Sequence, residues 1–162
     1  MKHLHNISVT LALLAMVTFT LPGCSTVSPE NVLINADVHD LNAAGQGVGV
    51  VSDRGYQAFL WANGELTWIG TLGGAESEVF DINDRGQMVG RAETVDDEAH
   101  AFLYDDGVMT HLGVPGYTSM ASRINERGQI EGTYVLHFGD EPSYRAFLWE
   151  NGIFTDLGML SD

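Results

Sequence analysis

The sequence predicts an all-β protein built from three four-stranded antiparallel sheets. A nine-residue block recurs three times, at spacings of 41 and 42 residues, and a second block recurs in step with it. Turn-forming dipeptides separate short apolar runs, and no stretch after the N-terminal leader has the apolar spacing of a helix. Repeats of this length are typical of supersecondary units that stack on one another.

The first block places an Asn three residues before a Gly, between two apolar runs. Its copies span residues 41–49, 82–90 and 124–132. An Asn side chain bonds to nearby backbone, and Gly accepts the left-handed conformation, so the block favours a type I turn. Each copy therefore predicts the first hairpin of its repeat.

The second block is an Ala-Phe-Leu run that ends in Trp or Tyr, at residues 58–61, 101–104 and 146–149. An Asn-Gly or Asp-Gly pair follows each run, at residues 63–64, 106–107 and 151–152. Such pairs favour two-residue hairpin turns. With the turn at the first pair, Trp61 lies opposite Leu66, and Phe59 lies opposite Trp68. Each repeat is therefore predicted to hold two hairpins.

The predicted pairing gives each second hairpin two distinct faces. One face is nearly identical in all three copies and holds Ala58, Leu60, Thr67 and Ile69 in the first. The opposite face is aromatic and varies at its last position, which is Trp68, His111 or Asp156. Because both faces are mostly apolar, we expect each sheet to be covered on both sides by sister sheets.

Four strands in about 42 residues match one blade of a β-propeller. Three blades do not close a ring, since propellers have about four to eight. We therefore expect β-propeller-blade-like sheets in an open stack with capped ends, or in a six-bladed ring made by two chains. The alternative is closure of one chain with pseudo-threefold symmetry, as in a β-trefoil or β-prism.

These motifs resemble the bacterial extracellular repeats called HAF, after a His-Ala-Phe tripeptide. His100-Ala101-Phe102 matches the tripeptide, whereas the other copies have Gln57 and Arg145 in place of the His. The resemblance extends over roughly residues 36–160. It implies an exported location and a propeller-like β fold, and it carries no agreed activity.

The start of the chain predicts a signal peptide. Lys2 precedes an apolar run, residues 7–21, which has the length of a signal-peptide core and is short for a membrane span. The run ends in Leu21-Pro22-Gly23-Cys24, which resembles a bacterial lipobox. Cys24 is also the only cysteine, so a disulfide framework is excluded and lipidation of Cys24 is expected.

The chain therefore divides into three parts. Residues 1–23 form the signal peptide, residues 24–31 a tether, and residues 32–162 the β domain, with repeats at about 36–77, 78–120 and 121–162. This organisation predicts an outer-membrane-anchored lipoprotein of a bacterial envelope, or a secreted protein.

The chain is strongly acidic, with a formal net charge of -15. Its only lysine is Lys2, in the leader. Such a surface repels phosphate backbones, so nucleic acid is not an expected partner. The histidines after the leader lack metal-ligand spacing, and no cofactor is expected.

The connection between the two hairpins grows from copy to copy. It is short at residues 52–55 and longer at 93–98 and 137–143. Insertions at one point of a repeat fall on one edge of the assembly, often the binding edge. The weak candidates for binding a ligand or a cation are therefore the loop carboxylates: Asp96, Asp97, Glu98, Asp140 and Glu141. Residues 81–86 also resemble the start of a calcium loop, but Arg85 occupies a ligand position, so we expect a plain turn.

No nucleophile-and-base arrangement can be assembled from the sequence. The expected function is that of a non-catalytic cell-envelope module that binds an unknown protein or glycan. The module would be held at the membrane through a lipid on Cys24. A homodimer, as in the six-bladed ring, is one expected state. Two alternatives stay open. One is a polysaccharide hydrolase or lyase that uses the loop carboxylates, and the other is a degenerate fragment of a longer repeat array.

Overall fold

The structure, a computed structural model, describes residues 36–53, 55–138 and 141–160. Cys24, the signal peptide and the tether lie outside the described residues. The first sheet holds β1 (Ala36–Leu41), β2 (Gly47–Val51), β3 (Gln57–Ala62) and β4 (Glu65–Trp68). The second holds β5 (Gly73–Ile82), β6 (Met88–Thr94), β7 (Ala99–Asp105) and β8 (Val108–His111). The third holds β9 (Thr118–Ile124), β10 (Ile130–Phe138), β11 (Glu141–Glu150) and β12 (Ile153–Met159).

Each sheet is antiparallel, and its strands lie side by side in chain order. This confirms the predicted three four-stranded, blade-like sheets. Within the described segments, no helix has the length and apolar character needed to cross a membrane.

The predicted turns of the second hairpins are confirmed. Asn63 and Gly64 have φ angles of 53° and 85°, and the pairs at 106–107 and 151–152 also have positive φ at both positions. Asn, Asp and Gly tolerate such angles, which match the twist of the flanking strands. Trp61 pairs with Leu66, and Phe59 pairs with Trp68, as predicted.

The Asn turns of the first hairpins are confirmed as well. The Oδ1 atom of Asn83 accepts hydrogen bonds from the N–H groups of Arg85 and Gln87 at 3.1 and 3.0 Å. Gly86 has a φ of 81°. Equivalent side-chain bonds occur around Asn42 and Asn125. The Asn side chain therefore stabilises each turn from within.

The sheets stack face to face, with the second sheet in the middle. The core between the first and second sheets includes Val48, Ala58, Ile69, Val79, Ile82 and Phe102. The core between the second and third sheets includes Ala101, Leu112, Ala121, Ile124, Ile130 and Phe147. In both cores the Ala-Leu face of one sheet packs on the aromatic face of the next. No core cluster of the described residues joins the first sheet to the third, so the alternative of threefold closure is not formed.

The third connection between hairpins is an extended strand pair, which corrects the expectation of a long loop. β10 and β11 pair as far as Phe138 and Glu141. Tyr134, Val135 and Tyr144 favour extended backbone, so the added residues lengthen the hairpin. Glu141, a predicted loop residue, is therefore the first residue of β11. Asp140 lies outside the described residues.

Candidate functional site

A groove of about 630 Å³ runs along the first strands of the three sheets, β1, β5 and β9. Each first strand supplies the two residues that precede its Leu-Asn or Ile-Asn pair. These are His39 and Asp40, Phe80 and Asp81, and Ser122 and Arg123. The groove, called here the first-strand groove, is thus built from equivalent positions of three repeats.

A β-bulge interrupts each first strand at the groove. The pairing of β1 with β2 skips His39, that of β5 with β6 skips Phe80, and that of β9 with β10 skips Ser122. Bulges bend a strand and re-aim its side chains, and they are common beside functional sites. All three bulged residues line the groove.

The last Gly of each first block permits this geometry. Gly90 pairs with Val79, directly beside the bulge. A Cβ atom on Gly90 would overlap the carbonyl oxygen of Glu78 and lie 2.9 Å from the Phe102 ring. Gly49 and Gly132 are equally confined by the backbone of their first strands. The recurring Gly therefore lets the bulged strand approach its neighbour closely.

Asp40 and Asp81 connect consecutive sheets. The Oδ2 atom of Asp40 accepts a hydrogen bond from the Ile82 N–H at 3.2 Å, and that of Asp81 accepts one from the Ile124 N–H at 2.7 Å. Partial burial, followed by a hydrogen bond with Asp40 and its negative charge, raises the pKa of Asp81 from 3.8 to about 6. Below about pH 6 a protonated Asp81 therefore offers a ligand a hydrogen-bond donor beside the carboxyl oxygens of the groove.

An aromatic surface lies beside the carboxyl pair. The rings of His39 and Phe80 are stacked, with 5.9 Å between centroids and 11° between planes. The Nδ1 atom of His39 lies 2.6 Å from the carbonyl oxygen of Val79 and donates this hydrogen bond, which fixes the orientation of the ring. Phe80 is half-buried, so part of its ring faces solvent. The groove therefore has a flat apolar surface next to its polar groups.

The third sheet reverses the charge of the groove. Arg123 occupies the position of Asp40 and Asp81, and its Nε atom lies 3.7 Å from Oε1 of Glu131. Both side chains are largely exposed, so this ion pair contributes little to stability. The guanidinium group is accessible to a ligand that accepts hydrogen bonds.

Of the predicted loop carboxylates, the four that the structure describes do not line this groove: Asp96, Asp97, Glu98 and Glu141. In the β6–β7 turn, the Thr94 N–H donates to the Glu98 carbonyl at 2.9 Å, and Asp97 has a φ of 60°. Asp96 and Asp97 are thus part of a short turn, in which Asp tolerates the left-handed conformation. The Glu98 carboxylate lies 3.4 Å from Nε2 of His100. The lipidation candidate Cys24 lies outside the described residues.

A second polar cluster lies on the aromatic face of the second sheet. The His100 and His111 rings are 4.9 Å apart at 70°. His100 is buried, and its Nδ1 atom has no hydrogen-bond partner. Burial, and then the charge of His100, lower the pKa of His111. In residues 36–53, 55–138 and 141–160, no three His, Cys, Asp or Glu side chains are placed to hold a metal ion.

Sequence reasoning did not identify the groove. Its residues are single positions, 41 and 42 residues apart, that meet only when the sheets stack. One signal was present before each Leu-Asn or Ile-Asn pair. The first of the two preceding positions differs in all three copies (His39, Phe80, Ser122), and the second changes from Asp to Arg in the third copy. Variable positions on a constant scaffold are where binding specificity usually resides.

No family model, curated protein or solved structure matches the chain. At about 630 Å³ the groove falls within the size range of small-ligand sites, which is roughly 300–1,000 Å³.

Proposed function

We propose that the protein is a non-catalytic module of the bacterial cell envelope that binds a glycan in the first-strand groove. The observation that carries this proposal is the combination of groups that line one groove: Asp40, Asp81, Arg123 and the ring of Phe80. Sugars carry hydroxyl groups that both donate and accept hydrogen bonds, and they carry apolar C–H faces. Carboxyl and guanidinium groups suit the hydroxyls, and an aromatic ring suits the C–H face.

The charge of the chain narrows the class of glycan. The net charge of -15 repels polyanions, such as sulfated or phosphorylated polymers. A neutral glycan, or one with amino sugars, meets the Asp40 and Asp81 carboxyl groups without that penalty. We therefore propose a neutral or amino-sugar ligand.

The proposed location follows from the start of the sequence. The apolar run before Cys24 supports export, and the lipobox-like Leu21-Pro22-Gly23-Cys24 supports a lipid anchor. An anchor at residue 24 and a tether of a few residues would hold the sheets close to the envelope surface. Envelope glycans are abundant ligands at that position.

The proposal is tested by the retention of the protein on immobilised envelope polysaccharides and a glycan array. Phe80→Ala should weaken binding by about tenfold, the loss expected for one ring contact. Tyr117→Ala is the matched control, because Tyr117 is an exposed aromatic residue that does not line the groove. Absence of any retained glycan, or equal losses for both variants, would exclude binding in the groove.

A further inference from the structure

Three aliphatic side chains at the ends of the stack are exposed, whereas their counterparts inside it are buried. On the outer face of the first sheet, Val38 is 55% exposed and Leu41 is 64% exposed. On the outer face of the third sheet, Leu157 is 59% exposed. We name these two surfaces the leading face, with Val38, Leu41 and Trp68, and the trailing face, with Leu148, Ile153 and Leu157.

Equivalent residues form the two interfaces inside the chain. Val79 and Ile82, which correspond to Val38 and Leu41, are buried against the first sheet. Ile69, which corresponds to Leu157, is buried under the second sheet. Ala121, Ile124 and Leu112 repeat this arrangement between the second and third sheets. A trailing face therefore has the side chains that a leading face packs against.

The polar residues of the ends are complementary in charge. Across the first interface Asp40 meets Asp81. In the third sheet the equivalent residue is Arg123, which lies near Glu131 of its own sheet. If a trailing face packed on a leading face in the same way, Arg123 of one copy would meet Asp40 of another. An Arg–Asp pair there replaces a pair of like carboxyl groups, which favours association.

A second polar contact is also preserved. The side-chain N–H₂ of Asn83 donates to the Asn125 carbonyl at 3.2 Å, and that of Asn42 donates to the Asn83 carbonyl at 3.1 Å. At the trailing end, the side-chain N–H₂ of Asn125 would donate to the Asn42 carbonyl of another copy. One contact inside the chain has no counterpart between copies. Asp84 and Glu126 each accept a hydrogen bond from a backbone N–H of the preceding repeat. Ala43 occupies the equivalent position at the leading end and has no side-chain acceptor.

We infer that a second copy of this chain binds head to tail, with the trailing face of each copy on the leading face of the other. Two copies then form a closed ring of six sheets, within the range of about four to eight that such rings contain. Both interfaces of the ring join a trailing face to a leading face, so a closed ring leaves neither face exposed. Asp40, Arg123 and Leu148 belong both to the groove and to the faces that pack. The two proposals are still tested separately, because Phe80→Ala changes only the groove and Leu157→Arg changes only the trailing face.

The test is native mass spectrometry of the full chain. The protein is kept in a large excess of mild detergent, which is removed in the spectrometer. The unchanged chain should have the mass of two copies. Leu157→Arg and Leu41→Arg should each give single copies, because each introduces a charge on one face. Val95→Arg is the control, because Val95 is an exposed residue in the β6–β7 turn, and this variant should stay dimeric.

Mixing separates head-to-tail association from other arrangements. Leu157→Arg retains a leading face and Leu41→Arg retains a trailing face, so an equal mixture of tagged and untagged variants should contain a mixed dimer. Arg123→Ala should weaken the dimer by about tenfold. Arg91→Ala should not, because Arg91 is an exposed residue of the middle sheet that pairs with Glu78 of the same sheet. A monomeric unchanged chain, a Leu157→Arg variant that stays dimeric, or species that grow with concentration would each overturn the inference.

Discussion

The carboxylate of Asp81 accepts a 2.7 Å hydrogen bond from the backbone N–H of Ile124, which lies in the next sheet. Asp40 makes the same bond to Ile82 one repeat earlier. The same two carboxyl groups line the first-strand groove. Protonation of Asp81 therefore affects the packing of the sheets and the chemistry of the groove together.

Asp81→Asn should stabilise the protein above pH 6 and have little effect near pH 4. The pKa of Asp81 is raised from 3.8 to about 6, so between these values the folded state binds more protons than the unfolded chain. The stability of the unchanged protein therefore falls as the pH rises through this window. Asn keeps an acceptor for the Ile124 N–H and carries no charge. Melting temperatures measured from pH 4 to pH 8 should diverge across that range.

The control for this variant is Asp81→Ala, which removes the acceptor. It should lower stability at every pH by about 1–3 kcal/mol, because the Ile124 N–H loses its partner. The other charged groups of the groove, His39, Asp40, Arg123 and Glu131, are unchanged in both variants. Parallel pH profiles for Asp81→Asn and the unchanged protein would show that Asp81 is ionised throughout.

Asn83→Ala should destabilise the protein more than Asn125→Ala. Both side chains stabilise their own turns, but Asn83 is buried and also donates to the Asn125 carbonyl of the next sheet. We expect losses of about 2–4 kcal/mol for Asn83 and about 1–2 kcal/mol for Asn125. Urea unfolding in the Leu157→Arg background measures both without a contribution from contacts between copies. Equal losses would mean that the bond between sheets adds nothing.

Gly90→Ala should cost more than about 3 kcal/mol or prevent folding, because a Cβ atom there overlaps the Glu78 backbone. Gly107→Ala is the comparison. Gly107 has open space around its Cβ position and a φ of 84°, so only the backbone conformation is penalised, by about 1 kcal/mol. Thermal unfolding measures the loss of stability in each variant. A mild Gly90→Ala variant would mean that the bulged strand can move away from β6.

Cys24→Ser should release the protein from the membrane fraction. The expected anchor requires the thiol of Cys24, and a single residue change removes it. Fractionation and metabolic labelling with a radioactive fatty acid measure the effect, with Ser25→Ala as the control that keeps both label and location. A membrane-bound, labelled Cys24→Ser variant would rule out lipidation at this residue.

The local structure could be predicted from the sequence because its determinants are local. The Asn63-Gly64 turn fixes the register of its hairpin, and the Asn83 side chain holds its own turn within five residues. Such signals act between neighbours in the chain, so the number of strands and their pairing followed from them.

The groove could not be predicted because it depends on contacts between sheets. Asp40 and Ile82 are 42 residues apart, and only the stacking of one sheet on the next brings them together. The lengthened β10–β11 hairpin was missed for a related reason. Acidic and turn-forming residues near Glu141 indicated a loop, whereas Tyr134 and Tyr144 continue the strand pairing.

Binding of a glycan in the first-strand groove is tested most directly by nuclear magnetic resonance titration of the labelled protein with a retained glycan. Backbone signals of Asp40, Phe80 and Arg123 should shift with one common affinity, while those of Asp96 and Asp97 should stay in place. Shifts confined to the β6–β7 turn, or signals that do not move at saturating glycan, would contradict it.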